Sequence, residues 1–187
     1  MRLTELAHHI LTEHLQDGDR AIDATAGNGH DTIFLARQVG SEGSVIAIDI
    51  QDAAIEATRT RLEQAKLLTR VTLRAGDHAD IMEELALKHA AEFAAIIFNL
   101  GYLPGSDQGV QTQPTTTRRA LHAALELLQP SGRLCVTAYR AHPGGLEEAA
   151  TVEAWMQQQK AKGHSIEVHV PPSDNSPPIL WVLTKAV

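Results

Sequence analysis

A short apolar run that ends in a glycine turn is the feature that most constrains the fold of this chain. Residues 21–31 read Ala-Ile-Asp-Ala-Thr-Ala-Gly-Asn-Gly-His-Asp, and a helical pattern of apolar residues begins at Thr32. Gly27 and Gly29 allow backbone angles that other residues avoid, and they let the backbone approach a ligand closely. The stretch predicts a strand, a tight turn and a helix, the ligand-binding unit of a doubly wound α/β sheet.

The polar residues around this turn limit the kind of ligand. Thr32 stands where the dinucleotide fingerprint has its third glycine, and no Gly-Lys-Ser/Thr follows as in a Walker P-loop. Asp23 lies four residues before Gly27, which gives the pattern Asp-x-x-x-Gly-x-Gly. This pattern resembles motif I of the class I methyltransferases that use S-adenosylmethionine (SAM). The alternative is a glycine turn in an unrelated α/β protein.

Length and composition predict one globular domain. The chain has 187 residues, of which 43% are hydrophobic and 4% aromatic, so we expect a single domain over 1–187 with an aliphatic core. No apolar run approaches the roughly 20 residues that span a bilayer. The N-terminal stretch carries Glu5, Glu13 and three histidines, unlike a signal peptide, and the lone Cys135 excludes an internal disulfide. We therefore expect a soluble, cytoplasmic protein with no membrane partner.

The net charge of −7 and the pI near 5.8 argue against broad electrostatic binding to nucleic acid. A small basic patch beside one site is compatible with that balance. Arg118, Arg119 and Arg140 are the candidates for such a patch, because they flank the predicted rim of the site. The alternative for each of them is an ordinary solvated surface charge.

Apolar periodicity predicts alternating helices and strands. The predicted helices span 3–15, 32–39, 51–68, 81–89, 118–128 and 146–162, and the predicted strands span 20–24, 44–48, 71–74, 93–98, 133–139, 165–170 and 179–185. Pro130, Ser131 and Gly132 are expected to stop the fifth helix, ahead of the fifth strand. The fold class is therefore α/β, a Rossmann-like and mostly parallel seven-stranded sheet with helices on both faces and an antiparallel last strand. Residues 1–16 are expected to pack on this core as an N-terminal helix.

Acidic or amide residues follow the first four strands in turn. They are Asp23, Asp49, Asp77 and Asn99. In an open α/β sheet the ligand lies beyond the carboxyl ends of the strands, so these positions are expected to meet. Asp49 lies 20 residues after Gly29, the separation at which an acidic residue reaches a ribose diol. Asp77, with His78 beside it, stands where a carboxylate can accept from an adenine amino group. Each of them alone could instead be a strand-end acid that faces water.

The loop after the fourth strand reads Asn-Leu-Gly-Tyr-Leu-Pro-Gly over 99–105. It resembles in part the Asn-Pro-Pro-Tyr motif of amino-group methyltransferases, with Leu-Gly in place of Pro-Pro. Asn99 is expected to accept a hydrogen bond from a target amine, and Tyr102 is expected to stack on a base.

Several further motifs accompany this loop. They are residues 23–32, residues 99–105, Thr115-Thr116, Tyr139, the run His-Pro-Gly-Gly-Leu-Glu-Glu at 142–148 and Asn-Ser-Pro-Pro at 175–178. Together they resemble a bacterial family of class I SAM-dependent methyltransferases, the rRNA methylase family, over nearly the whole chain. The resemblance implies methylation of 5-aminomethyl-2-thiouridine at the wobble position of tRNA. Gln108 departs from the family pattern, which has a lysine there, and Ser106 replaces a glycine.

The resemblance also implies roles for individual residues. Four are implied in catalysis: Asn99, Tyr102, His142 and Asp31. SAM is expected to contact Asp23, Thr25, Gly27, Asn28, Gly29, Asp31, Thr32, Asp49, Gln51, Asp77, His78 and Asn99. The tRNA, through its anticodon arm, is expected to contact Tyr102, Thr115, Thr116, Arg118, Tyr139 and His142.

Two roles stay open at this point. His142 is the first candidate to take a proton from the amine or to orient it, because histidine titrates near pH 6.5, and Asp31 is the second candidate. The alternative for His142 is capping of the following helix. Thr115 to Thr117 either cap the helix that follows them or bind phosphate at its N-terminus.

No metal site is predicted. His8, His9 and His14 do not have the His-x-x-x-His spacing of a zinc site, and His30, His78 and His142 alone do not define one. Other functions remain as alternatives: methylation of rRNA or of a small-molecule amine, and a SAM-binding module without catalysis. The oligomeric state, monomer or homodimer, stays open.

Overall fold

The computed structural model describes residues 2–101, 112–172 and 176–187. The predicted roles of Tyr102, Ser106, Gln108 and Asn175 lie outside the described residues. The helices are α1 (Leu3–Thr12), α2 (His30–Gln38), α3 (Asp52–Gln64), α4 (His78–His89), α5 (Pro114–Leu127) and α6 (Gly145–Ala161), with a short 3-10 turn at Leu68–Arg70. The strands are β1 (Arg20–Asp23), β2 (Ser44–Asp49), β3 (Val71–Ala75), β4 (Phe93–Leu100), β5 (Leu128–Ala138), β6 (Ser165–His169) and β7 (Ile179–Thr184).

The seven strands form one sheet in the order β3-β2-β1-β4-β5-β7-β6. The first five pair in parallel, and β7 runs antiparallel to both β5 and β6. The predicted fold class, a mostly parallel sheet with an antiparallel last strand, is confirmed. The chain moves outward from β1 to β3 and then returns to place β4 on the other side of β1. The topological switch point therefore lies between β1 and β4, where ligands bind in this class of sheet.

Helices cover both faces of the sheet because the strand residues point alternately to the two sides. Ile22 packs in a core with α4, α5 and α6, which includes Trp155 and Phe98. Ala21, its neighbour in β1, packs in a second core with α1, α2 and α3. Strands buried on both faces read as continuous apolar runs, which is why β4 is buried from Phe93 to Phe98.

The N-terminal helix α1 lies on the second of these cores. Leu3, Ala7 and Leu11 are spaced to face the sheet, and all three are buried. The carbonyl of Ile10 accepts a hydrogen bond from Nη1 of Arg133 in β5 at 2.8 Å, and this bond ties the helix to the sheet. None of the helices in the described part of the chain is both long enough and apolar enough to cross a membrane.

Several predicted boundaries differ from the structure by three to five residues: the ends of α1 and α3 and the starts of α4, α5 and β5. The fifth helix begins at Pro114 rather than at residue 118, because proline at the first helical position fits the helix without losing a hydrogen bond. The fifth helix does end at Leu127, ahead of Pro130, Ser131 and Gly132, but β5 begins at Leu128 rather than at Arg133 and runs through these three residues. A register shift against β4 and a positive φ of 63° at Ser131 accommodate these residues within the strand.

Candidate active site

A cavity of about 540 Å³ opens at the switch point, beyond the carboxyl ends of β1 to β4. Its size is that of a site for a small organic ligand. The loops after the four strands supply most of its wall, and α1, α5 and the loop after β5 supply the remainder. The lining residues are Thr4, Ala24, Thr25, Ala26, Gly27, Asn28, His30, Asp31, Asp49, Ile50, Gln51, Asp77, His78, Asn99, Gly101, Thr112, Gln113, Thr116, Tyr139, Ala141 and His142.

The glycine turn after β1 needs glycine for two separate reasons. Gly29 caps α2 with φ at 79°, in the left-handed region that other residues rarely adopt. A Cβ atom at Gly29 would also lie 3.0 Å from Cα of Thr58 in α3, so the turn has no room for one. Thr58 in turn donates from Oγ1 to the Gly27 carbonyl at 3.1 Å. The turn is therefore held against α3, with Gly27 at the cavity and Gly29 behind it.

Asp23 is buried beneath the turn rather than at the cavity wall. It accepts hydrogen bonds from the Thr25 amide at 3.2 Å and from the Thr32 hydroxyl at 2.6 Å. Burial, together with the nearby charge of Asp31, raises the pKa of Asp23 to about 7. Asp23, Gly29 and Thr32 were predicted to contact the cofactor. In the structure these three residues shape the turn and their neighbours line the cavity, and the predicted contacts with the cofactor stay predictions.

Asp49 organises the second wall of the cavity. One carboxylate oxygen accepts from the Gly27 amide at 2.8 Å and the other accepts from the Gln51 amide at 2.9 Å. Each oxygen can accept a further hydrogen bond. The carboxylate thus joins the glycine turn to the loop after β2, with Ile50 largely exposed beside it at 59%.

Asp77 and His78 form the third wall, at the start of α4. Asp77 is the N-cap of this helix and accepts from the Ala79 amide at 2.7 Å. His78 is only 8% exposed and meets the Phe98 ring edge-on. Burial lowers the pKa of His78, so the ring is neutral at neutral pH. Within the described part of the chain its buried Nε2 atom has no hydrogen-bond partner, although the residue lines the cavity.

Asp31, in the first turn of α2, joins two residues that are distant in the sequence. Its Oδ1 atom accepts from Nε2 of His8 in α1 at 2.5 Å. Its Oδ2 atom accepts from Nδ2 of Asn99 in β4 at 2.6 Å. The imidazole of His8 is itself held by stacking on Phe34, with the ring centroids 3.8 Å apart. These contacts give Asp31 a fixed position at the cavity wall.

The same contacts determine how the amide of Asn99 faces. A carboxylate can only accept hydrogen bonds when it is ionised, so the NH₂ group of Asn99 must point at Asp31. The amide oxygen then points away from Asp31 and is available as an acceptor. The backbone of Asn99 is held as well, because its amide donates to the Thr25 hydroxyl at 2.7 Å.

The loop after β5 forms the open rim of the cavity. Tyr139 is 41% exposed there, and burial of the remainder together with the Asp31 charge raises the pKa of its phenol. Nδ1 of His142 donates to the Pro143 carbonyl at 3.0 Å. α6 is capped by Gly144, without a side-chain cap bond, so capping by His142 is not observed. A Cβ atom on Gly145 would lie 2.8 Å from Nε2 of His142, which makes a small residue necessary there.

The threonines before the predicted fifth helix lie within its first turn. Thr116 lines the cavity and donates from Oγ1 to the Gln113 carbonyl at 3.2 Å. Thr117 is buried and donates to Glu148 of α6 at 2.5 Å. Thr115 and Arg118 are exposed and lie outside the lining. The predicted stacking residue Tyr102 belongs to the part of the chain that the structure does not describe.

Two of the three arginines of the predicted basic patch have partners within the chain. Arg119 pairs with Asp80 and Glu83 of α4. The guanidinium of Arg140 donates to the Pro177 carbonyl at 2.7 Å. Internal partners therefore occupy two of the three arginines that were expected to flank the rim.

The charges of the lining suit a cationic ligand. Among its described residues the cavity wall has three aspartates and neither lysine nor arginine. Such a wall repels phosphate groups and attracts a sulfonium and an ammonium. The residues present therefore fit SAM, and the roles of Asp49 at its ribose and of Asp77 at its adenine stay predictions.

Sequence reasoning missed several residues of this site, and three of them lie on α1 and α6. Thr4 and His8 come from α1, and Glu148 comes from α6. Glu148 is 1% exposed and accepts from the hydroxyls of Thr112 and Thr117 at 2.6 and 2.5 Å. A sequence signal did exist for Glu148, since it stands four residues before Val152 and seven before Trp155, on the buried side of α6.

Comparison with known proteins places this architecture in one class. A crystal structure of a "putative rRNA-methylase" from Clostridium thermocellum superposes with a TM-score of 0.90 at 36% identity, over 97% of this chain and 96% of that one. A "putative methyltransferase" from Streptococcus mutans, solved in complex with SAH, gives a TM-score of 0.86 at 35% identity, over 99% and 98% of the two chains. The fold and the site define a class I SAM-dependent methyltransferase.

A family model narrows this class further. The model described as "Putative rRNA methylase" matches residues 45–184, so the chain belongs to that family. The resemblance stated from its motifs is thereby confirmed. The chloroplastic tRNA (mnm(5)s(2)U34)-methyltransferase of Arabidopsis thaliana is 40% identical over 162 residues, which are 82% of this chain. The present chain spans 58% of the length of that relative.

Proposed function

We propose that this protein methylates the primary amine of 5-aminomethyl-(2-thio)uridine at the wobble position of tRNA, giving the 5-methylaminomethyl nucleoside. The observation that carries the proposal is the amide of Asn99, which Asp31 orients at the wall of the cavity. An amide oxygen held in this way can accept from an amine N–H. The 40% identity to the Arabidopsis enzyme, whose name specifies this nucleoside, supports the choice of substrate.

When bound, SAM supplies an electrophilic methyl carbon on a sulfonium. The amine nitrogen forms the new C–N bond as the C–S bond breaks, and the sulfur keeps the electron pair. An alkylammonium cannot attack, so one proton must leave the nitrogen before the transfer. The chain then has two tasks, which are to accept that proton and to aim the nitrogen lone pair at the methyl carbon. Positioning of this kind supplies much of the acceleration in methyl transfer.

We assign the two tasks to different residues. His142 lines the cavity together with Asn99, so it is the first candidate to accept the proton or to orient the amine. Both oxygens of Asp31 already accept hydrogen bonds, one from His8 and one from Asn99. Asp31 therefore orients Asn99, and it is the second candidate for proton acceptance.

The rim supplies the contacts to the nucleoside. Tyr139 lies at the mouth of the cavity with 41% of its surface exposed, so its ring can form a wall for the uridine. Thr116 lines the cavity on the opposite element, α5. The tRNA anticodon arm is the expected partner, and Tyr102 is proposed to stack on a base of its loop.

The test is nucleoside mass spectrometry of tRNA from a strain that lacks this gene and from its parent. We expect 5-aminomethyl-2-thiouridine to accumulate and the methylated nucleoside to disappear. Purified protein with SAM should then restore the methyl group on the isolated tRNA, and Asn99→Ala should fail to do so. Calorimetric titration of SAM into the variant separates loss of cofactor binding from loss of transfer.

Unchanged wobble nucleosides in the deletion strain would show that the substrate is wrong. Incubation of the purified protein with labelled SAM and with rRNA, or with small primary amines, would then identify the methyl acceptor. Binding of SAM without transfer to any of these acceptors would indicate a SAM-binding module that lacks catalysis.

A further inference from the structure

A second cavity, of about 480 Å³, lies on the outer side of α1, α2 and α3. We call it the α1–α2–α3 groove, and its lining residues are His8, His30, Ile33, Phe34, Arg37, Gln38 and Arg61. Two of these seven residues are arginines and two are histidines. No aspartate or glutamate belongs to the described lining. The groove is therefore positively charged, in contrast to the main cavity.

Within the described ranges, the side chains of Arg37 and Arg61 differ from several other arginines of the chain in lacking an acidic partner. Arg20, Arg74 and Arg119 each pair with an acidic side chain. Over the described ranges the guanidinium groups of Arg37 and Arg61 form neither an ion pair nor a hydrogen bond. With a net charge of −7, acidic residues are abundant enough to have neutralised both of them. Two uncompensated guanidiniums that face one hollow suit an anionic ligand.

The groove is contiguous with the active site. His30 lines both the groove and the main cavity. His8 lines the groove and bonds Asp31, which lines the main cavity. A polymer with one nucleotide in the main cavity can therefore continue directly into the groove. Phe34 adds an apolar ring to the groove, stacked on His8.

We propose that the α1–α2–α3 groove binds backbone phosphates of the RNA substrate next to the modified nucleotide. Arg37 and Arg61 supply the charge, and their planar guanidiniums match phosphate oxygens in pairs. The proposal rests on the proposed function, because it takes RNA as the substrate. It also explains how an acidic protein holds a polyanion, since two positive charges without acidic partners among the described residues lie in the hollow where the backbone passes.

The test is RNA binding by the double variant Arg37→Ala/Arg61→Ala over a range of salt concentrations. The probe is an anticodon stem-loop that carries 5-aminomethyl-2-thiouridine. Both the Kd for binding this stem-loop and the KM for its methylation are measured, and inorganic phosphate is titrated separately. We expect the affinity to fall about tenfold at low salt and the slope of log K against log salt to flatten by about 1–2. The affinity for SAM should be unchanged, because neither arginine lines the main cavity.

Two further variants make the result specific. Lys160→Ala/Lys162→Ala removes the same amount of charge from exposed positions at the end of α6, on the other face of the sheet, and should leave RNA affinity unchanged. Arg37→Lys/Arg61→Lys keeps the charge but not the planar fork, and should recover the salt slope while recovering only part of the affinity. Circular dichroism of each variant checks that it folds.

Three outcomes would count against the groove, and they are distinct from failure of the proposed function. If wild-type protein methylates the stem-loop and the double variant has the same Kd, KM and salt slope, the groove proposal is wrong. If the double variant loses only binding of inorganic phosphate, the groove is a site for free anions and not for RNA. If the Lys160/Lys162 variant weakens RNA binding equally, the effect is one of net charge. If wild-type protein methylates neither the stem-loop nor the tRNA isolated from the deletion strain, the proposed function has failed.

Discussion

Asp31 accepts a 2.6 Å hydrogen bond from Nδ2 of Asn99, and this contact sets which end of the amide faces the cavity. Asp31 stands in the first turn of α2, and Asn99 stands near the end of β4. The contact therefore joins the glycine turn to the strand on the other side of the switch point. It makes the acceptor oxygen of Asn99 a preorganised feature of the site rather than one that substrate must induce.

Loss of this contact should reduce methyl transfer more than cofactor binding. For Asn99→Ala and for Asp31→Asn we expect kcat/KM for the RNA to fall on the order of 10²-fold, because the amine is no longer aimed at the methyl carbon. In Asp31→Asn the amide of Asn99 can turn over, which removes the acceptor although the residue is intact. Steady-state kinetics and calorimetry with SAM would measure both quantities. Equal losses in SAM affinity and in kcat/KM would contradict the assigned role.

His8 is expected to act through Asp31. A hydrogen bond to a charged group contributes about 1.5–3 kcal/mol, so His8→Ala should lower kcat about tenfold or more. His9→Ala is the matched control, since His9 is the neighbouring residue on the same helix and is largely exposed. It should retain full activity. His8→Gln, which keeps a donor, should recover part of the lost rate if His8 serves to position Asp31. Comparable kcat values for His8→Ala and the wild type would exclude this role.

The raised pKa of Asp23 should make stability depend on pH. Its value is 3.8 in the unfolded chain and about 7 in the folded protein. Between these values the unfolded state loses its proton first, so the wild type loses stability as pH rises from about 4 to about 7. Asp23→Asn keeps a neutral group of the same shape and should lack this dependence. The difference in the free energy of unfolding between the variant and the wild type should change by at most about 1.4 kcal/mol for each pH unit. Denaturant unfolding of both proteins at several pH values measures it, and a gap that does not change over this window would contradict the prediction.

Glu148 should contribute to stability through the two threonines that it holds. Glu148→Ala leaves the buried Thr117 hydroxyl without its acceptor and frees Thr112 at the cavity wall, so we expect the free energy of unfolding to fall by about 2–4 kcal/mol. Glu147→Ala, an exposed neighbour on the same helix, should change it by less than about 0.5 kcal/mol. Urea unfolding followed by circular dichroism gives both values. A similar small effect in both variants would mean that the buried carboxylate contributes little.

Much of the sheet and the general place of the site are predictable from local patterns. The apolar runs of β2 and β4, the glycines at 27 and 29, and the acids that follow the strands are all signals within a few residues of one another. Topology then brings the strand ends together without further information, because parallel strands share one carboxyl edge. The lining of the cavity by Asp49, Asp77 and Asn99 follows from this rule.

The parts that were not predicted depend on contacts between distant segments. His8 contacts Asp31 only because α1 packs on the same face of the sheet as α2. The spacing of apolar residues in α1 does not indicate which face the helix packs against. The burial of Asp23 beneath the turn was not predictable for a related reason. An acidic side chain at the end of a strand can point inward and accept hydrogen bonds from its own loop. For Asp23 this orientation depends on the hydrogen bond that the Thr32 hydroxyl donates to it. The early start of β5 was not predicted, because the composition of residues 130–132 disfavours a strand. Pairing with a neighbouring strand overrides that local preference.

The position of β7 between β5 and β6 has a consequence for synthesis. β6 has β7 as its sole strand neighbour in the described sheet, so residues 165–169 cannot join the sheet before residues 179–184 have paired with β5. A nascent chain that pauses on the ribosome before residue 179 therefore presents β5 as an open edge, with Cys135 and Val136 not yet covered by Val182 and Trp181. Unpaired edges of this kind are where aggregation begins and where chaperones bind, so the translation rate over this last hairpin should influence the yield of folded protein.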